Sequence, residues 1–342
     1  MGLSDYHATT GDWREQLKRN QRKTLWVVIS FIAIYLGVGL IVDVFIIQSS
    51  YPGATISQCL DALITFRMLP LATMIMAGIA AISLLLTFSL YDRIMLLGTD
   101  SFEITPETAR TLQEKQLYHV VEEMKVAAGL RYMPKVFIIE ANYMNAFASG
   151  YSEKSAMVAI TRGLMEKLDR AELQAVMAHE LSHVRHQDIK LTLMVAVLSN
   201  ILLIVIDMLF YAVIFKRERE QDNRLVFVIM ILRYVLPLMT VLLALFLSRT
   251  REYMADAGSV ELMRDNEPMA RALLKIDQDH QQHADEYTQA YGQTAHEEVR
   301  QASYLFDPSA IDPVKSLSTA FMTHPSIEKR LQALGFKAKK NN

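Results

Sequence analysis

The stretch VMAHELSHVRHQDIK, residues 176–190, decides how the rest of the chain is read. On a helix His179 and His183 lie one turn apart on one face, about 6 Å along the axis, so their rings can converge on a single ion. Glu180 follows the first histidine and is rotated around the axis, where its carboxylate reaches a water held by that ion and not the ion itself. His186 continues the stripe, but seven helical residues separate it from His179 by roughly 10 Å, too far for one ion to hold both. A catalytic zinc site usually has three protein ligands, so a third must come from elsewhere in the chain. Directly after Lys190 the sequence turns apolar, and a soluble-looking helix is thus joined to something that reads as membrane.

The 342 residues are 51% hydrophobic and 21% charged, with a net charge of -2, and the apolar residues are clustered. Four runs, 25–47, 69–91, 191–215 and 225–247, each approach the ~20 residues that cross a bilayer. Asn200 and Asp207 interrupt the third; Arg233 and Pro237 interrupt the fourth. Arg14, Lys18, Arg19, Arg22 and Lys23 precede the first run, which is too long for a signal-peptide core and reads as an anchor. These cations put the N-terminus in the cytoplasm, and residues 48–66, which lack Lys and Arg, form an outer loop. The second run returns the chain, so the polar sequence from Asp92 onward is expected in the cytoplasm, in keeping with Lys337, Lys339 and Lys340.

Cys59 is the only cysteine, which rules out an intrachain disulfide and a multi-cysteine metal site; any metal must use His and carboxylate. Near-neutral charge without a dense basic stripe argues against nucleic acid as a partner, and no repeat period is present.

If the third and fourth runs form an antiparallel hairpin turning near Glu220, residues whose numbers sum to about 440 lie at equal height. Asp207 then faces Arg233, and pairing reduces the penalty of two charges at that depth. The same register carries residues 183–188 beside 252–257, bringing Glu252 within reach of the metal. One turn on, Asp256 can accept a hydrogen bond from a ligand histidine's other nitrogen, fixing its tautomer and orientation. Glu261 and Glu267 are weaker rivals.

Elsewhere, ITPETARTLQEKQLYHVVEEMKVAAGL, 104–130, reads as a helix with Thr105 as N-cap, Pro106 in its first turn and Gly129 as its stop. KVFIIE, MNAFAS and AMVAIT read as three short strands of a small sheet, the last two joined by a turn at GYSEKS. Asp169, with Glu172 three residues later, forms a capping-box-like start to the helix of the two histidines. The Gln-, His- and Glu-rich stretch 277–303 reads as a solvated helix face. His7, His119, His280, His283 and His296 lack metal-ligand spacing and read as surface histidines.

HExxH is the arrangement of a zinc peptidase, with two imidazoles holding the ion and the glutamate as general base. Together with NAFASG at 145–150, VAITRGLMEKLDRAELQAVMAHELSHVRHQD, the apolar hairpin, SRTREYMADAGSVEL and THPSIEKRLQAL, it resembles the HtpX and CAAX prenyl protease family of integral-membrane zinc metallopeptidases, the HtpX group in particular. The resemblance covers most of the chain. It implies His179, His183 and Glu252 as ligands of one Zn2+, Glu180 as catalytic base and Asp256 as the partner behind a ligand. It further implies that Asn145, Ala146, Phe147, Ala148 and Ser149 form an edge strand that pairs with an extended substrate. His324 and Arg330 match a late family motif, and one or both would stabilise the oxyanion, His324 being the better candidate.

The expected fold is therefore membrane α-helical plus α+β: four transmembrane helices with a cytoplasmic zincin-like metallopeptidase domain containing a small β-sheet. The expected organisation is a cytoplasmic segment (1–24), two membrane helices with an outer loop (25–91), the first part of the peptidase domain (92–190), the hairpin (191–247) and the second part (248–342). The expected function is zinc-dependent cleavage of membrane or membrane-proximal proteins at the bilayer. Quality control in a bacterial inner membrane is what the resemblance implies. Two other readings stand beside it. A catalytically inactive zinc-binding scaffold would have no need of Glu180, and a transporter would show paired repeats or broken helices, which this sequence lacks. The tip KREREQDNR, 216–224, departs from the positive-inside tendency if the hairpin crosses fully.

Overall fold

The computed structural model describes residues 3–8, 12–51, 53–96, 99–150, 152–215, 223–287, 305 and 324–339. Along the chain run β1 (Tyr6–Ala8), α1 (Trp13–Ser50), α2 (Ile56–Ile64), α3 (Leu71–Met95), β2 (Ser101–Ile104), α4 (Leu112–Ala128), β3 (Lys135–Ile139), β4 (Ala146–Ser149) and β5 (Met157–Thr161). There follow α5 (Arg162–Lys167), α6 (Arg170–Arg185), α7 (Asp188–Phe215), α8 (Asn223–Met263), α9 (Glu267–Gln282), α10 (Ile327–Ala333) and β6 (Phe336–Ala338). The chain divides into two compact units, one of residues 1–24, 88–191 and 247–342, the other of 25–87 and 192–246.

The first unit is α+β. Its sheet has the order β2-β3-β5-β4, with β3 and β5 parallel and both outer strands antiparallel to their neighbours. A second, two-stranded sheet pairs Tyr6 with Ala338 and so ties the start of the chain to its end. The helix α6 packs against α4, α9 and β4. Its start is the expected capping box: Asp169 accepts from the Glu172 N–H while the Glu172 carboxylate accepts from the Asp169 N–H, each at 2.9 Å. Lys275 of α9 then reaches the same Glu172 carboxylate at 2.6 Å.

Three expectations are corrected in detail. The helix expected from Thr105 begins at Leu112, because Thr111 and Glu114 form a reciprocal capping box, whereas Thr105 and Thr108 satisfy each other's main-chain N–H groups in a turn. Gly129 does end it, in the left-handed conformation that favours glycine. The strand β2 shows no alternating burial and forms through pairing with β3, so its own residues carry little strand signal. The segment expected as an outer loop, 48–66, holds a helix, α2, capped by Thr55 and Gln58, and Cys59 is buried on it.

The second unit is helical. Tyr35, Val38, Met76, Ala80, Leu202 and Leu236 form its centre, and the Tyr35 hydroxyl donates to the Met76 carbonyl at 2.6 Å. Large apolar side chains also cover its outside, among them Ile75, Ile82, Leu85, Met230, Leu238 and Phe246. A surface of that kind suits lipid and not water. Asp43, buried within α1, caps the start of α3: its carboxylate accepts the Ala72 N–H at 2.7 Å, the Thr73 N–H at 3.1 Å and the Thr73 hydroxyl at 2.7 Å. Asp207 and Arg233 meet at 3.1 Å, as the hairpin register requires. The guanidinium also lies 3.8 Å from the centre of the Phe210 ring, a cation–π contact.

Among the described residues, three helices are long and apolar enough to cross a membrane, Trp13–Ser50, Asp188–Phe215 and Val226–Met263. The second apolar run forms α3, whose described apolar stretch, Leu71–Thr87, falls short of that length. The hairpin tip at 216–222 lies outside the described residues.

Candidate metal centre

On α6, His179, Glu180 and His183 are all buried. Close approach by α8 brings the remaining groups to them. A side chain at Gly258 would come within 2.8 Å of Ser182 Cβ and nearer still to its Oγ, so the glycine lets the two helices touch. Next to it the Ser259 hydroxyl donates to the Ala175 carbonyl at 3.0 Å. With the helices held this way, Glu252, a little under two turns back along α8, faces the histidines.

His179, His183 and Glu252 offer donor atoms all within 4.8 Å of one another. The two Nε2 atoms are 3.2 Å apart. Two imidazoles on one tetrahedral zinc, with bonds of 2.0–2.1 Å, would place them ~3.3 Å apart. The Glu252 oxygens lie 3.7 Å from His179 Nε2 and 3.6 Å from His183 Nε2. Two nitrogens and one carboxylate, converging with one side left for water, are the donor set of a catalytic zinc site, and these residues fit that ion.

Each ring is held from behind. His183 Nδ1 pairs with Asp188 Oδ2 at 2.7 Å, and Arg251 Nε lies 3.4 Å from the other oxygen of that carboxylate. His179 Nδ1 stands 3.1 Å from Asp256 Oδ1, close but off the hydrogen-bond axis. These partners turn Nε2 of both rings toward the centre. Arg330, fully buried, donates twice to Asp256, at 2.9 and 2.6 Å, and once to the Leu305 carbonyl at 2.9 Å. Its Nη1 also stands 3.4 Å from Glu252. His324 Nδ1 is 3.3 Å from Glu252 Oε2.

Burial alone disfavours every charge here. It pushes the Glu180 carboxyl up to about 7, with the Glu252 charge adding to the rise and His183, Arg330 and the Ala148 N–H opposing it. Both Glu180 oxygens are buried without a hydrogen-bond partner among the described residues, so the group is kept free for a proton. Burial pulls His179 below the usual histidine range. At His183 burial acts in the same direction, but the Asp188 hydrogen bond and the Glu252 and Asp188 charges outweigh it and raise the ring.

Among the described residues, the strand β4 is at the end of its sheet and pairs only with β5. Asn145, Ala146, Phe147, Ala148 and Ser149 are nevertheless all buried. The Ala148 N–H faces Glu180, and the Ala146 carbonyl accepts from the Leu305 N–H at 2.9 Å. The Asn145 amide oxygen accepts from the Ala146 N–H at 3.0 Å.

Other sequence candidates lie apart. His186 turns back to the Ser182 carbonyl at 2.8 Å, Glu261 pairs with Arg185 and Glu267 with Arg271. His280, expected at the surface, is buried against Tyr287 with Nδ1 on the Ile276 carbonyl. Its helix has an apolar face that the polar composition of 277–303 conceals. His296 lies outside the described residues, as does most of that stretch. Sequence reasoning did not single out Asp188 and Arg251. The reason is local: α6 ends at Arg185 with His186 as its C-cap, and Gln187 adopts a positive φ of 53°, which folds Asp188 back onto His183 outside the helical period.

The profile of Peptidase family M48 matches residues 111–336. A protein named "Protease HtpX homolog" from Helicobacter acinonychis (strain Sheeba) is 38% identical, covering 94% of this chain and 98% of its own. One of the same name from Streptococcus uberis is 32% identical, with 94% and 98% covered. The crystal structure of S. mikatae Ste24p aligns over 96% of this chain and 67% of its own, at 17% identity and a TM-score of 0.47. The profile match, the identity to these relatives and the apolar helices lead to one conclusion: the chain belongs to peptidase family M48 and is a membrane-embedded metalloprotease.

Proposed function

We propose that the chain is a zinc endopeptidase in which His179, His183 and Glu252 hold the ion and Glu180 is the general base, cleaving membrane or membrane-proximal proteins. The observation that carries this reading is the convergence of the two Nε2 atoms and the Glu252 carboxylate beside a buried, unpartnered Glu180. Zinc bound there would supply Lewis acidity and lower the pKa of water to ~7. Glu180 takes the proton from the attacking water and delivers it to the departing amine, a task suited to a carboxyl whose pKa lies near the working pH. Asp256 and Asp188 orient the two rings, and Arg330 holds Asp256 and Glu252 in place. Since each Arg330 nitrogen is engaged with protein oxygens, His324 is the better donor to the developing oxyanion. Its Nε2 has no partner among the described residues.

An extended peptide would lie along the outer edge of β4, where Ala146 and Ala148 direct main-chain groups away from β5, and would displace the Leu305 N–H that meets the Ala146 carbonyl there. In this reading α3 is a fourth membrane helix, the hairpin of α7 and α8 crosses the bilayer, and the peptidase unit faces the cytoplasm of a bacterial inner membrane. The N-terminal cations support that orientation, and a role in protein quality control is what the family resemblance implies. The test is to purify wild type and Glu180→Gln in detergent, quantify bound zinc in both, and digest an unfolded protein. Zinc in both with cleavage by wild type alone is expected; equal cleavage by the two overturns the assignment of the base.

A further inference from the structure

A second site lies in the same unit, separate from the metal centre. Gln16, Arg19, Asn20 and Lys23 form a stripe along one face of α1, at steps of three and four residues. Together with Tyr253 of α8 and Lys329 and Gln332 of α10 they line a cavity of about 450 Å³. No carboxylate lines it, and among the described residues none lies within 4 Å of Arg19, Lys23 or Lys329, whereas Arg162, Arg185, Arg271 and Arg330 all have one. Like charges one helical turn apart repel, and Arg19 and Lys23 lack the compensation that Arg162, Arg185, Arg271 and Arg330 receive. An independent observation sits at the wall of the cavity. Asn20 is only 2% exposed, and its Oδ1 has no hydrogen-bond partner among the described residues. A buried acceptor left this way is unfavourable unless something completes it.

We propose that this cavity binds a phosphate that carries an adjacent hydrogen-bond donor. Arg19, Lys23 and Lys329 take the anionic oxygens, and Asn20 Oδ1 takes the donor. Two sources share that chemistry: the headgroup of a phospholipid such as phosphatidylglycerol, and free phosphate with its own P–O–H. The position on α1 favours the lipid, since Lys23 stands two residues before the apolar run that begins at Leu25. The site involves none of the residues assigned to hydrolysis, so it stands or falls independently of that reading.

Trp26, one turn beyond Lys23 and 68% exposed, reports on bound lipid. The full chain in a Trp13→Phe background is placed in vesicles, and quenching by dibrominated phosphatidylglycerol is compared with quenching by dibrominated phosphatidylcholine, which has the phosphate without the donor. A preference for phosphatidylglycerol is expected. Lys329→Gln, which removes a cation remote in sequence, should lower it about five-fold, and Asn20→Leu should lower it too. Lys18→Gln, exposed and outside the cavity, should have a clearly smaller effect. Adding 10 mM inorganic phosphate at constant ionic strength separates the sources: loss of the preference assigns the site to free phosphate, and retention assigns it to the headgroup. No preference in the parent, or equal effects of Lys329→Gln and Lys18→Gln, overturns the proposal, the second by reducing it to a diffuse basic surface.

Discussion

Glu180→Gln should make the metal-free protein more stable, and the gain should depend on pH. In the fold the Glu180 carboxyl is pushed from 4.5 to about 7. Below pH 4.5 it is protonated folded or unfolded and contributes no difference. As pH rises from there toward 7, the unfolded chain loses the proton while the folded chain keeps it, so stability falls until both are ionised. At ~1.4 kcal/mol per unit, the full window amounts to about 3 kcal/mol of destabilisation at pH 8. Glutamine has nearly the same shape and no charge. It leaves an unpartnered amide, but that penalty is the same at every pH and cancels when two pH values are compared. For a unit of this size 3 kcal/mol corresponds to roughly 5–10 °C in Tm. The assay is thermal unfolding in detergent with chelator present, wild type against variant, at one scan rate from pH 5 to 8. The Tm advantage of the variant should grow by several degrees toward pH 8 and shrink when zinc is restored, since a nearby cation favours the ionised carboxylate. Parallel Tm curves across that range would refute the reasoning that burial, helped by the Glu252 charge, raises this group.

Asp188→Ala should lower zinc affinity 10- to 100-fold by releasing the His183 ring, with competitive chelator titration as the measurement. Gly258→Ala should cost about 1–3 kcal/mol, read as a lower Tm, because the new methyl group meets Ser182 where α6 and α8 touch. Cysteines at positions 207 and 233 should cross-link in a membrane preparation; failure while neighbouring pairs succeed would refute the hairpin register. Peptidase activity of the zinc-loaded enzyme should fall on the acid side as Glu180 takes a proton, with the midpoint below 7 because the bound cation lowers its pKa.

What could be read from the sequence was what periodicity controls. Helical spacing stacks His179 over His183, and the antiparallel count of the hairpin brings Asp207 to Arg233. The same count explains why Glu252 and Asp256 arrive beside α6. What escaped depends on departures from periodicity or on partners distant in the chain. Asp188 reaches His183 only because Gln187 is left-handed, an unusual conformation for a residue with a side chain. Arg330 is 74 residues from the Asp256 it grips, and no local pattern announces that pairing. Thr105 and Thr111 both resemble N-caps, and only Thr111 has a glutamate three residues later to complete the box. The strand β2 exists because β3 is there to receive it.

If His179, His183 and Glu252 together hold one ion, X-ray absorption at the zinc edge on purified, zinc-loaded protein will show one equivalent of zinc with two imidazole nitrogens and oxygen ligands at ~2.0–2.2 Å, and that signature will be lost in Glu252→Ala and His183→Ala. An unchanged zinc spectrum and stoichiometry in either variant would contradict it.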